Sequence, residues 1–96
     1  MPRGGPRLRA QDHKLNQIGL RVRERRHVLT LDQDEVCARL ARETKGEWNP
    51  GWQDISRIEN GARTVTDLEM LVLALALECD ACWLFVGLSE KSDHKT

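Results

Sequence analysis

The chain has no tyrosine, one phenylalanine and only three cysteines among 96 residues, and its formal net charge is zero. Each shortage removes a class of explanation. Cys37, Cys79 and Cys82 are an odd number without the spacing of a disulfide framework, which suits a reducing compartment and leaves stability to an apolar core. Cys79-Asp-Ala-Cys82 has the form CxxC, yet a zinc site needs two further ligands at matching spacing, and His13, His27 and His94 are scattered. The cysteines read as small buried hydrophobes, and no metal or cofactor is expected. A long hydrophobic run is missing too: Met70 to Leu77 is the longest, far below the roughly 20 residues that cross a bilayer. The start, MPRGGPRLR, places Arg, Gly and Pro where a signal peptide needs an apolar segment. A soluble, cytoplasmic protein without membrane contact is the expectation. There is no Ser/His/Asp or Cys/His arrangement and no phosphate-cradling glycine loop, so no catalytic residue is assigned and an enzyme is the weakest class.

What is present is charge, unevenly spread. Through Leu31 eight basic residues (Arg3, Arg7, Arg9, Lys14, Arg21, Arg23, Arg25, Arg26) face two acidic ones (Asp12, Glu24), a net +6, so the remainder carries −6. That asymmetry suggests a polyanion as partner for the basic part, against the plainer reading of solvated helix faces. With 40% hydrophobic residues the chain suits one small domain.

Residues 1–13, rich in Arg, Gly and Pro, lack apolar periodicity and read as a disordered basic arm. Leu15, Ile18, Val22 and Leu29 then recur at helical spacing and predict a first helix over 14–28. Asp32 and Glu35 form a capping-box pattern that starts a second helix at about Gln33, with Val36, Cys37 and Leu40 inward. Asn49-Pro50 is the next start signal, an N-cap followed by proline at the first helical position, so a third helix is expected over 50–60. It places Trp52, Ile55 and Ile58 inward, turns Gln53, Ser56, Arg57 and Asn60 away, and leaves through Asn60-Gly61. Thr66 and Glu69 form another capping box, opening a fourth helix to Leu77 that is apolar nearly all round. One stripe holds Leu68, Leu71, Val72 and Leu75, a second Met70, Leu73 and Leu77, and a helix buried on both sides needs a second surface to meet. Asp80 caps a fifth helix to about Val86 with Trp83, Leu84 and Phe85, before Gly87 and a polar tail, 89–96. The fold class is all-α, with its domain spanning 14–88.

Four pieces in order resemble a known family: Ile18-Gly19 with Val22-Arg23 and Arg26; Leu31-Asp32-Gln33-Asp34-Glu35-Val36; Ile55-Ser56-Arg57-Ile58-Glu59-Asn60-Gly61; and Asp80 with Trp83-Leu84 and Gly87. They look like the lambda-repressor/Cro type of helix-turn-helix, the Xre family, over about 15–87. The resemblance implies a five-helix lambda-repressor-like DNA-binding domain. On it, Trp52, Gln53, Ser56 and Arg57 match base readers. Gln33, Asn60, Arg63 and Thr64 match contacts to the DNA backbone, and Arg26 with Glu59 a structural ion pair. The chemistry of Gln, Ser and Arg suits base edges, while Trp52 has burial as its alternative. The sequence departs from the family in the connector Ala41-Arg-Glu-Thr-Lys-Gly-Glu-Trp-Asn-Pro-Gly51, which is lengthened. Either the second helix runs a turn further or the insert is a loop, and Trp48 either covers the core edge or stands beside DNA.

The implied function is a sequence-specific double-stranded DNA-binding transcription regulator, a repressor acting as a homodimer on a pseudopalindromic operator. Met70, Leu73, Leu77, Trp83, Phe85 and Leu88 are the expected dimer interface, and Arg7 and Arg9 of the arm are expected on phosphates. The competing expectation is a protein-interaction module or antitoxin, which keeps the fold, binds a protein partner and has weak or no DNA binding.

Overall fold

The computed structural model describes residues 8–10 and 12–87. Among them are five helices and no strand: α1 (Gly19–Val28), α2 (Gln33–Glu43), α3 (Trp52–Glu59), α4 (Asp67–Ala76) and α5 (Ala81–Val86). No helix among the described residues is long and apolar enough to cross a membrane. Arg3, Arg7, Leu88 and the tail lie outside the described residues, so the expectations on them are not addressed by this geometry.

Three helix starts follow local chemistry. The Asp32 carboxylate accepts from the Glu35 N–H at 2.8 Å while Glu35 accepts from the Asp32 N–H, also at 2.8 Å. Thr66 and Glu69 repeat the exchange at 3.1 Å in each direction. Asp80 accepts from the Cys82 N–H at 3.0 Å, and Gly87, at φ +79°, ends α5.

The other two starts differ from expectation. Residues 14–18 do not continue α1, because Asn16 commits them to another role. Its Oδ1 accepts from the N–H groups of Ile18 (3.1 Å) and Gly19 (2.8 Å), fixing the helix start there, and its Nδ2 donates to the carbonyls of Ile58 and Arg63, both at 3.0 Å. Asn49 is exposed and caps nothing; Gly51 holds the N-cap position of α3, without a side-chain bond, and Pro50 is buried. The connector explains the shift. α2 stops at Glu43, and Thr44 clips the following loop, its hydroxyl donating to the Leu40 carbonyl (2.9 Å) and accepting from the Trp48 N–H (2.9 Å). Lys45 and Gly46 reverse the chain in the left-handed region, at φ 53° and 85°, and Trp48 returns to pack against the core. Each expectation for the insert holds in part: α2 takes in Ala41, Arg42 and Glu43, and residues 44–51 form the loop.

The core joins α1 (Val22), α2 (Val36, Leu40), α3 (Ile55, Ile58), α4 with its C-cap (Leu73, Leu77) and α5 (Leu84), all with no solvent exposure. α1 approaches α3 so closely that a Cβ on Gly19 would collide with the Ile58 carbonyl and stand 2.8 Å from that of Glu59. Along α4 and its C-cap the two apolar stripes separate: Leu73 and Leu77 are fully buried, whereas Leu68, Leu71 and Leu75 are 70%, 51% and 62% exposed, and of their stripe only Val72 packs against the core. This corrects the expected dimer interface, since Leu73 and Leu77 belong to the chain's own core and Met70 packs against it. α4 meets both α2 and α5 with the Leu73 face, and that choice depends on neighbours distant in sequence.

Candidate nucleic-acid interface

α3 is anchored from below by a buried ionic knot. Arg26 of α1 grips Glu59 with two hydrogen bonds, Nε to Oε2 at 2.6 Å and Nη2 to Oε1 at 3.0 Å, and its Nη1 donates to the Leu31 carbonyl at 3.0 Å. Gln33, at the start of α2, donates from Nε2 to Glu59 Oε1 at 3.1 Å. The Glu59 side chain is only 4% exposed, so its carboxylate depends on these partners for the hydration it has lost. Its hydrogen bonds raise the Arg26 pKa further above the ordinary arginine value, against the opposing effect of burial. Three helices are thereby held together at the end of α3.

The opposite face of α3 is free. Gln53, Arg57 and Asn60 are exposed, Ser56 is half-buried, and Trp52 is 50% exposed. Trp52 is thus not part of the inward set expected with Ile55 and Ile58; it precedes Ile55 by three positions at the helix edge, where the connector does not cover it. Arg57 stands 3.5 Å from Asp54, a contact exposed enough to be exchanged for another anion. Thr64 is exposed beyond the helix. Gly61, at φ +73°, turns the chain back from α3, and Lys14 closes this end by donating from Nζ to the Asn60 carbonyl at 3.1 Å.

No family model, characterised protein or solved structure matches this chain. What it does must therefore be read from which groups the fold leaves available.

Several expected contacts are already engaged within the protein. Arg63 donates to both carboxylate oxygens of Glu69, at 3.3 and 3.1 Å, which ties the loop after α3 to the capping box of α4. Gln33 keeps its carbonyl end for other partners, but its amide nitrogen is held by Glu59. Arg9 is exposed and donates to the His13 carbonyl at 3.1 Å.

The basic excess of the first third also divides. Arg21 donates to the carbonyls of Leu84 (3.0 Å) and Phe85 (2.9 Å), and Arg25 to those of Leu77 and Glu78, both 2.9 Å. Arg39 of α2 reaches the Ala76 carbonyl at 2.9 Å and Glu78 at 3.1 Å. These guanidinium groups satisfy the free carbonyls and the negative dipole ends of α4 and α5. Arg23 alone among the α1 arginines is exposed. An open groove of about 480 Å³ beside the end of α3 is lined by Lys14, Arg23 and Asn60 but also by Asp12 and Glu59, a mixture of signs without a focused charge.

Sequence reasoning missed Asn16 and the carbonyl-binding arginines. Their signal would be a helix C-terminus in need of donors opposite a helix bearing Arg at positions four apart, as Arg21 and Arg25 are. Among the described residues no group of three or more His, Cys, Asp or Glu is placed to hold a metal. Cys37 is buried, Cys79 partly so and Cys82 exposed, which departs from the expectation of three buried thiols; burial pushes the Cys37 and Cys79 pKa values up, away from reactivity.

Proposed function

We propose that this chain is a sequence-specific double-stranded DNA-binding regulator of the lambda-repressor/Cro type, with α2 and α3 as its helix-turn-helix and α3 as the recognition helix. The observation that carries the reading is the division of α3 into a locked inner face and a free outer one. Ile55, Ile58 and Glu59 are buried, while Gln53, Ser56, Arg57 and Asn60 offer donors and acceptors in a row whose one ion pair among the described residues is the exposed contact of Arg57 with Asp54. Gln can meet adenine and Arg guanine through paired hydrogen bonds, each giving about 1–3 kcal/mol of discrimination. Thr64, Asn60 and the free carbonyl of Gln33 flank that row as phosphate contacts. Arg63 contributes by holding the flanking loop to α4 through Glu69.

The reading includes a homodimer, joined through Leu68, Leu71 and Leu75 in place of the buried leucines. Three leucines spaced three and four apart on one face form a stripe that can lie against its own copy. Two recognition helices about 34 Å apart would then enter successive major grooves, and occupying an operator would repress by exclusion. The role is one of binding, without catalysis. The test is selection of preferred duplexes from a random pool, followed by fluorescence anisotropy at two salt concentrations. A symmetric preferred site with binding that weakens steeply in salt is the expected result; no selected sequence and no salt-dependent binding refutes it.

A second reading, a protein-interaction module or antitoxin, is favoured by two observations: the same leucine stripe is exposed, and Arg21, Arg25 and Arg39 serve the protein's own carbonyls. It predicts stoichiometric protein binding and no sequence preference in the same selection.

A further inference from the structure

Trp52 is the one large apolar side chain of α3 outside the core. Half of its area faces solvent at the first turn of the helix, whereas Ile55 and Ile58 are fully buried and the other two tryptophans, Trp48 and Trp83, pack against the core. Gly51 before it carries no side chain that would shield the indole. The fold leaves half of so large an apolar side chain uncovered at this position, and it adjoins the polar row of Gln53 and Ser56.

Position on the helix separates its role from that of Arg57. At about 100° per residue, Trp52 lies about 40° from Ser56 and about 140° from Arg57, with Asn60 and Gln53 between. Trp52 and Arg57 thus bound the two edges of the outward face, and a helix lying in the major groove turns its two edges toward the two strands. Arg57 presents only donors and suits the O6 and N7 acceptors of guanine. The indole face presents apolar surface, and the one apolar group that base pairs display in the major groove is the C5-methyl of thymine.

We propose, resting on the DNA-binding reading, that Trp52 is a specificity-determining residue that packs its indole against a thymine methyl group in each half-site. Five residues along the helix rise about 7.5 Å, and stacked base pairs are spaced about 3.4 Å, so this thymine lies about two base steps from the guanine met by Arg57, on the other strand.

The test replaces each thymine of the selected duplex in turn with deoxyuridine, which removes the methyl and keeps the pairing, and measures affinity by anisotropy. The full chain is expected to lose about fourfold at one position per half-site, the equivalent of one buried methyl group. Trp52→Ala, shown by circular dichroism to keep its helices, is expected to bind the thymine duplex more weakly and to be indifferent to uridine at that position. Trp52→Phe should retain part of the methyl preference. If uridine is tolerated at every thymine while binding stays selective and salt-sensitive, the Trp52 assignment is overturned and the DNA-binding reading stands. A methyl preference that persists undiminished in Trp52→Ala overturns it as well, and failure to select any sequence overturns both.

Discussion

Replacing Arg26 with alanine removes the only cation that, among the described residues, touches a carboxylate buried at the junction of three helices. In the intact protein Glu59 receives two hydrogen bonds from Arg26 and one from Gln33, and Arg26 also serves the Leu31 carbonyl. After Arg26→Ala, Glu59 retains a single neutral donor while its side chain is 4% exposed, which leaves the charge nearly without hydration. Breaking such a pair from one side costs about 3–5 kcal/mol, because the abandoned charge has lost its water and its partner. Against a total stability on the order of 5–15 kcal/mol, a loss of that size brings the domain close to its threshold. Urea unfolding followed by far-ultraviolet circular dichroism measures it, with an unchanged slope and a lower midpoint expected. The double replacement Arg26→Met with Glu59→Met removes both charges and fills part of the volume, so it should recover much of the loss. The sign of the pH dependence follows from the raised Arg26 pKa. The contribution of that ionisation is fully present below the unfolded arginine value and is lost only as pH rises through the still higher folded value, so mild alkali leaves it intact. A cost for Arg26→Ala below about 1 kcal/mol, the range of exposed pairs, would refute the reasoning that the knot is desolvated.

Gly19→Ala should destabilise by about 1–3 kcal/mol, since its Cβ meets backbone carbonyls of α3 that cannot turn aside; thermal unfolding measures this, and an unchanged midpoint would contradict the close approach. Leu71→Glu should convert the proposed dimer to a monomer in sedimentation with little change in helix content, because Leu71 is half exposed in the single chain. Arg57→Ala is expected to relax base preference at one position by about 1–3 kcal/mol, whereas Arg63→Ala, which frees Glu69, should lower stability more than selectivity. Thiol labelling of the native protein should proceed in the order Cys82, Cys79, Cys37, following exposure and the upward shift that burial gives the last two.

Chemistry that operates within a few residues was legible in the chain itself. Asp32 with Glu35 and Thr66 with Glu69 meet across three positions of one turn, so their helices start where the pattern places them whatever surrounds them. The five-helix order follows from such caps and from apolar periodicity, and the outward row Gln53, Ser56, Arg57 and Asn60 follows from the phase of Ile55 and Ile58. Asn49-Pro50 misled because the same local pattern that favours a cap was overridden by burial of Pro50 and by the Thr44 clip to Trp48.

Tertiary structure alone decided the rest, because each remaining question turned on groups far apart in the chain. Asn16 delays the start of α1 to Gly19 by joining Ile58 and Arg63, more than forty positions away. Two leucine stripes of α4 are equivalent in periodicity, and only packing against α2 and α5 buries Leu73 and Leu77 and leaves Leu68, Leu71 and Leu75 outside. Arginines that look alike in composition acquire different work from what lies opposite them: carbonyls for Arg21 and Arg25, a carboxylate for Arg26, solvent for Arg23. Trp52 changed most, from an inward residue by spacing to an exposed edge of α3, since a helical phase names a direction while neighbours determine whether anything stands there.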